Sequence, residues 1–197
     1  MSDTLSELYQ RLDALTREIH SELKHAQQRF AYRLEQGRVI FDEEIASQWR
    51  PTLRQFLGYL FGAELRHVLT APVIYSCIVP ALILDGWVSA YQAICFPAWG
   101  IPRVNRSDYI VIDRHYLPYL NPLEKLNCVY CGYFNGLIAY VQEIAGRTEQ
   151  YWCPIRHARH PRVVHSRYPL FVDYGDATGF RSKLQYLRRH FDPTPRR

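Results

Sequence analysis

Several common functional signatures are missing from this 197-residue sequence. It has a single methionine, which excludes an adaptable, methionine-lined binding surface. It contains no P-loop, no dinucleotide-binding glycine pattern and no CxxCH haem-attachment motif. The first residues are acidic and polar, so no secretory signal peptide is predicted. Three features are left to interpret: an uncharged stretch, a heptad-like helix and a group of cysteines.

Charge is almost absent from residues 68–102, where Asp85 alone interrupts the apolar run. The chain before this stretch has a net charge of −1, and residues 103–197 have a net charge of +7. A basic half beside an apolar stretch predicts binding to an anionic lipid surface. Nucleic acid is the less favoured partner.

The favoured interpretation of residues 68–102 is a membrane-associated helical hairpin that turns at Asp85-Gly86. Basic residues on both sides of the stretch predict that both of its ends stay on the cytoplasmic face of a membrane. One alternative is a single tilted span, which requires Asp85 to be paired or close to the lipid boundary. The other is a buried core hairpin in a soluble protein. The prolines that break the run are Pro72, Pro80 and Pro97.

Leucines and an isoleucine recur at spacings of three and four near the start of the chain, and they predict an amphipathic helix over residues 4–34. The stripe covers about three heptads, so residues 5–23 are expected to form a coiled coil, either in a homodimer or with a helical protein partner. The alternative is a helix that packs on its own protein. Gly37 is expected to end this helix. The residues of the stripe are Leu5, Leu8, Leu12, Leu15, Ile19 and Leu23.

The rest of the chain is predicted to be mainly helical. A helix over residues 42–65 is expected to break at Pro51, which suits a first helical position. Further helices are expected over 134–150 and 180–190, the latter with Phe180, Leu184 and Leu187 inward. Residues 108–113, DYIVID, form the best strand candidate.

These elements predict a mainly α fold in three regions. Residues 1–67 form an N-terminal helical region with a possible coiled coil, and residues 68–102 form the apolar hairpin. Residues 103–197 form a basic metal-binding module of helix with a small strand element beside a metal knuckle.

Cysteine spacing predicts the metal site. Cys128 and Cys131 form a CxxC pair followed by Gly132, which suits a knuckle turn that binds one ion through two thiolates. Cys153 and His157 follow as CxxxH, with Pro154 at a first helical position that sets both ligands on one face. Three thiolates and one imidazole match a closed structural Zn²⁺ site.

Other outcomes for these residues stay open. An iron–sulfur cluster, a redox-active CxxC and buried free cysteines are the alternatives. His160 is an alternative fourth ligand. Because four protein ligands leave no open position, the metal is expected to be structural rather than catalytic.

Three residues keep an enzyme in view. Glu143 and Arg147 stand at i and i+4 on the helix between the two ligand pairs, and Glu149 follows them. They are candidates for a catalytic site that acts on a lipid or another hydrophobic substrate. The competing interpretation of Glu143 and Arg147 is an exposed helix ion pair.

Two motifs, NCVYCGYFNGLIAYV (residues 127–141) and RTEQYWCPIRHA (residues 147–158), carry a family resemblance. The chain over about residues 65–180 resembles a family of short proteobacterial membrane-associated proteins. The resemblance implies a bacterial source, and hence the inner membrane, but assigns no catalytic residue. The expected function is a membrane-associated zinc-binding protein with a scaffolding or regulatory role. An iron–sulfur redox protein and a metal-supported enzyme are the alternatives.

Overall fold

The computed structural model describes residues 3–29, 32–35, 38–41, 43, 46–47, 51–62, 64–159 and 161–191. The described chain is mainly helical, as predicted, with one small two-stranded sheet. The elements in chain order are α1 (Asp3–Arg29), β1 (Tyr32–Glu35), β2 (Arg38–Phe41), α2 (Leu53–Phe61), α3 (Leu65–Ser76), α4 (Ile78–Trp99), α5 (Pro122–Trp152) and α6 (Ala177–Leu187).

The predicted N-terminal helix is present but ends earlier than the sequence pattern suggested. It stops at Arg29, and the chain then forms the antiparallel pair β1–β2, with Tyr32 opposite Phe41. Apolar residues alternate with charged ones in β1 and follow one another in β2, a strand-like pattern that the longer helical period obscured. Gly37 lies outside the described residues.

The predicted break at Pro51 is also present, but the helix starts two residues after this proline, at Leu53. Thr52 is the N-cap of α2, and its side chain accepts a hydrogen bond from the backbone of Gln55. The Gln55 side chain accepts one in return from the Thr52 backbone, at 2.8 Å, which completes a capping box. Pro51 therefore precedes the cap instead of occupying the first helical position.

The apolar stretch forms one long helical segment rather than a hairpin. Leu65–Trp99 is the one helix in the described chain that is long and apolar enough to cross a membrane, with a mean hydropathy of 1.9. Asp85 and Gly86 lie within α4, so the predicted turn there is wrong. A buried core hairpin is wrong as well, because only 6% of the most apolar window is buried.

The hydrophobic core lies between α4 and α5, which run in the same direction. Tyr133 contacts Asp85 near the middle of α4, and Tyr151 stacks on Trp99 at its end. Because α4 and α5 are parallel, the chain must return from the end of α4 to the start of α5. Residues 100–121 form this return connection along the helix pair. The buried core residues are Ala81, Phe96, Ile101, Val104, Tyr133, Leu137, Tyr140 and Ile144.

The return connection replaces the predicted strand. Residues 108–113 form no strand; a short 3-10 turn covers Arg106–Asp108 and irregular backbone follows. This backbone packs directly on α5, where Gly136 lets Tyr109 and Ile110 approach. Tyr109, Ile110 and Ile112, which have high strand propensity, are therefore partly buried against the helical core, and no described strand pairs with them.

Substituting Gly136 with alanine should destabilise the fold. An added Cβ would lie 2.7 Å from the Tyr109 carbonyl oxygen and 2.8 Å from the Ile110 Cα, both of which are backbone atoms. We expect a loss of about 1–3 kcal/mol in the free energy of unfolding, measured by chemical denaturation in detergent. Gly86→Ala is the matched control, because nothing lies within 4 Å of its Cβ, and it should stabilise α4 by up to about 1 kcal/mol. Equal effects of the two substitutions would contradict this packing.

Candidate functional site

The CxxC pair lies inside α5 and not in a knuckle. Cys128 and Cys131 are one turn apart on a continuous helix that begins at Pro122, capped by Asn121. Gly132 is helical and buried, with the Val111 carbonyl oxygen 3.4 Å from where a Cβ would stand. Its role is close packing against the return connection, so the predicted knuckle turn is wrong.

The second ligand pair is also not arranged as predicted. Cys153 is the C-cap of α5, and the chain beyond it is extended rather than helical. Ile155 forms a parallel bridge with Val172, which directs the backbone away from a helix. Pro154 therefore starts no helix, and His157 does not lie one helical turn beyond Cys153.

These placements do not fit one zinc ion. Cys131 and Cys153 are 22 residues apart along α5 and its cap, which is about 33 Å at the helical rise. Zinc ligands must all lie within about 2.3 Å of the metal. No group of three His, Cys, Asp or Glu residues in the described chain is placed to hold a metal ion. His160 lies outside the described residues. Elemental analysis of the purified protein tests zinc and iron directly.

A polar stripe on α4 faces α5 and the return connection. Asp85 accepts hydrogen bonds from both sides: Arg106 donates from the connection at 2.7 Å, and the Tyr133 hydroxyl donates from α5 at 3.0 Å. The pairing with Arg106 neutralises the one charge of the apolar stretch. Pairing was the condition that a membrane-embedded Asp85 required.

Gln92 continues this stripe about two helical turns beyond Asp85 on α4. Its amide donates to the Val104 carbonyl and to the Tyr140 hydroxyl, and its side-chain oxygen accepts from the Val104 backbone at 2.9 Å. Gln92 is 7% exposed, so these bonds satisfy a buried amide. The stripe fastens the connection to the helix pair.

A buried ion cluster surrounds Glu143, the first of the catalytic candidates. Arg147 donates to its carboxylate at 2.9 Å, Ser166 at 2.6 Å and Arg167 at 3.3 Å. The side chains of Glu143 and Arg167 are 5% and 1% exposed. The interpretation of Glu143 and Arg147 as an exposed helix pair is therefore wrong.

The pKa values in this cluster reflect burial opposed by pairing. Burial by itself raises the pKa of Glu143, but the hydrogen bonds from Ser166 and Arg147 outweigh it and hold this pKa below its ordinary value. Burial lowers the pKa of Arg167, although the charge of Glu143 opposes that shift. Glu143 is thus held as a carboxylate, which is the wrong state for a general acid at neutral pH.

Glu149 belongs to a neighbouring contact. Its carboxylate lies 2.9 Å from His165 Nε2, while His165 Nδ1 accepts from the Arg167 backbone at 3.2 Å. The imidazole packs on Gly146, where an added Cβ would lie 2.6 Å from the ring. The structure thus brings all three catalytic candidates to one end of α5, against a loop that contains His165, Ser166 and Arg167.

These loop partners of α5 were hard to predict from the sequence. His165, Ser166 and Arg167 lie in a basic run, HARHPRVVHSR, whose composition by itself predicts contact with phosphates, lipid or nucleic acid. Their contacts with α5 span 16–24 residues, a separation at which spacing rules carry no information. Gly146 is the one local signal, since a glycine inside a long helix suggests close packing.

The hydrogen bonds around Glu143 indicate that the ion cluster has a structural role. Each oxygen of the Glu143 carboxylate already accepts a hydrogen bond from the protein. A cleft of about 540 Å³ lies between β2 and residues 116–125, away from this cluster. None of the three catalytic candidates lines that cleft. The cluster fixes the loop that follows α5 onto that helix.

No protein-family model and no solved structure matches this chain. The resemblance to proteobacterial membrane-associated proteins therefore stays a prediction. What the fold defines is a mainly helical protein with one long apolar helix suited to a membrane and a buried ion cluster beside it.

Proposed function

We propose that this protein is a membrane-surface scaffolding protein. The uncovered face of Leu65–Trp99 lies against lipid, while α5 and the basic C-terminal region face water on the cytoplasmic side of the bacterial inner membrane. The observation that carries the proposal is the exposure of this helix, whose most apolar window is only 6% buried. An apolar surface of this length is a binding surface, and lipid is the partner that suits a whole helix side.

The two faces of α4 favour a helix lying along the membrane surface over a single crossing. Ala81, Gln92 and Phe96 are buried on the side of α5, whereas Ile83 and Ile94 are 65% and 73% exposed. Because α5 runs beside α4 and its charged end lies level with Trp99, a crossing α4 would have to carry that end through the bilayer to the far side. In a surface arrangement those charges stay on the water side.

The charges at the ends of the apolar segment support the same arrangement. Arg66 and Arg103 are exposed at its start and just beyond its end. Basic residues at both ends fit one anionic leaflet, towards which they can extend along the surface. A single crossing would instead place one of the two on the far side, against the positive-inside rule.

Scaffolding is preferred to catalysis because the candidate catalytic groups are already engaged with one another. Glu143 is held by Arg147, Ser166 and Arg167, and Glu149 contacts His165. Four apolar residues of α1, by contrast, are exposed and available to a partner: Leu12, Leu15, Ile19 and Leu23. Zinc and iron–sulfur are left out of the proposal, since the predicted ligands lie far apart.

Fractionation of cells that make the full chain with a tag at each terminus tests the proposal. We expect the protein in the membrane fraction, retained through a high-salt wash and released by detergent. Protease added to spheroplasts should leave both tags intact, because both termini are cytoplasmic. Recovery in the soluble fraction would reject membrane binding, and cleavage of one tag alone would show a single crossing.

A further inference from the structure

Four residues of the apolar stripe of α1 are left uncovered by the part of the chain that the structure describes. Leu12, Leu15, Ile19 and Leu23 are 54%, 57%, 59% and 55% exposed, and they fall on one side of a 27-residue helix. An isolated helix buries none of this surface, so its stability in water depends on a packing partner. The interpretation of α1 as a helix packed on its own protein therefore does not hold for these four residues.

We propose that the partner is a second copy of this chain, bound through α1 as an antiparallel coiled coil. The proposal rests on the scaffolding function above and names its partner. In heptad terms, a positions fall at 5, 12 and 19, and d positions fall at 8, 15 and 22. An antiparallel pair sets a against d, which places Leu12 against the partner's Leu15 at the centre.

Two charged residues beside the stripe select this direction. Arg11 and Glu18 occupy successive g positions, and g faces g in an antiparallel pair. The central register then sets Arg11 against the partner's Glu18, and the two-fold axis repeats that contact on the opposite side. Two opposite-charge contacts thus flank the Leu12 layers.

The parallel arrangement lacks these contacts. In a parallel pair g faces e of the next heptad, so Arg11 would meet the partner's Thr16 and Glu18 would meet the partner's Leu23. Glu22, at a d position, would lie directly against the partner's Glu22. Like charges facing each other in the seam oppose association.

The side chain of Arg11 can serve both helices. It donates to Glu7 on its own helix at 2.8 Å, and both side chains are well exposed, at 70% and 60%. A guanidinium carries five N–H donors, so donors are left for a carboxylate across the interface. The Glu7 contact also holds the side chain along the flank of α1.

Light scattering of the purified full chain in detergent, over a range of protein concentrations, tests the proposal. We expect a dimer in equilibrium with monomer. Arg11→Glu would turn both flanking contacts repulsive and raise the dimer dissociation constant about tenfold. The double variant Arg11→Glu with Glu18→Arg should restore the original dissociation constant, because each contact again joins opposite charges, with the signs exchanged.

Two further variants complete the test. Leu15→Glu removes both central layers and should leave monomer, whereas Arg17→Glu, at the outward f position, should leave the constant unchanged. The proposal is overturned if the wild type is monomeric at the highest concentration, or if the double variant fails to recover. Light scattering in detergent measures association of the chain without a membrane. Membrane binding is measured separately by cell fractionation, so a failure of one is distinguishable from a failure of the other.

Discussion

Replacing Ile83 and Ile94 together with lysine should release the protein from the membrane. Both side chains are more than half exposed on the side of α4 that faces away from α5, so the substitutions disturb little of the protein's own packing. Each isoleucine in lipid contributes roughly 1.5–3 kcal/mol of burial. Losing both should lower the partition onto membranes by about a hundredfold or more, measured by flotation with vesicles of mixed anionic and neutral lipid.

Ile138→Lys is the matched control for that release. Ile138 is 54% exposed on α5, which the proposal puts on the water side. Its substitution should leave flotation within about twofold of the wild type. If Ile138→Lys released the protein while the α4 variant stayed bound, the lipid-facing side would have been assigned to the wrong helix.

Glu143→Gln should destabilise the fold by about 3 kcal/mol, because it leaves the buried guanidinium of Arg167 without its opposite charge. Arg167 is 1% exposed, so water cannot replace the lost carboxylate. For a chain of this size the loss corresponds to a fall in melting temperature of about 6–12 °C. Circular dichroism of the detergent-solubilised protein during heating measures it.

The control is Asp173→Asn, the same acid-to-amide change in a pair whose carboxylate is 76% exposed. That pair, with Arg156, should contribute about 1 kcal/mol or less. A Glu143→Gln variant with unchanged melting temperature would contradict the structural role. It would favour instead the earlier idea of Glu143 as a catalytic group.

The pH dependence of stability gives the same prediction a second readout. Because the pKa of Glu143 is lowered in the folded chain, its carboxylate stabilises the fold above the ordinary glutamate pKa. That contribution is lost as the pH falls through the lowered value. The free energy of unfolding of the wild type should therefore exceed that of Glu143→Gln by the full amount at neutral pH. In acid this difference should become smaller.

Periodicity in the sequence was a good guide where a helix presents one continuous face. The helix predicted over 134–150 is part of α5, and the one predicted over 180–190 is present as α6 but ends at Leu187, which is buried as expected. Pro122 begins α5, twelve residues before the predicted start, because a proline at a helix start loses no hydrogen bond. The periodic pattern identified the helix but did not set its first residue.

Local motifs were a poor guide where distant segments meet. The sequence Asp85-Gly86 suits a turn, yet α4 continues through it because Arg106 and Tyr133 hold Asp85 in place. DYIVID suits a strand, yet it packs on glycines of α5. In both cases a contact partner more than 20 residues away decided the conformation.

Sequence alone determined the mainly helical class, the apolar stripe of α1 and the apolar character of residues 68–102. Each depends on residues close together in the chain, whose periodicity and hydropathy act locally. Tertiary structure decided that the CxxC pair lies within a helix, far from Cys153, and that Glu143 lies in a buried ion cluster. These outcomes depend on which surfaces the folded chain brings into contact, and neighbouring residues do not encode that choice.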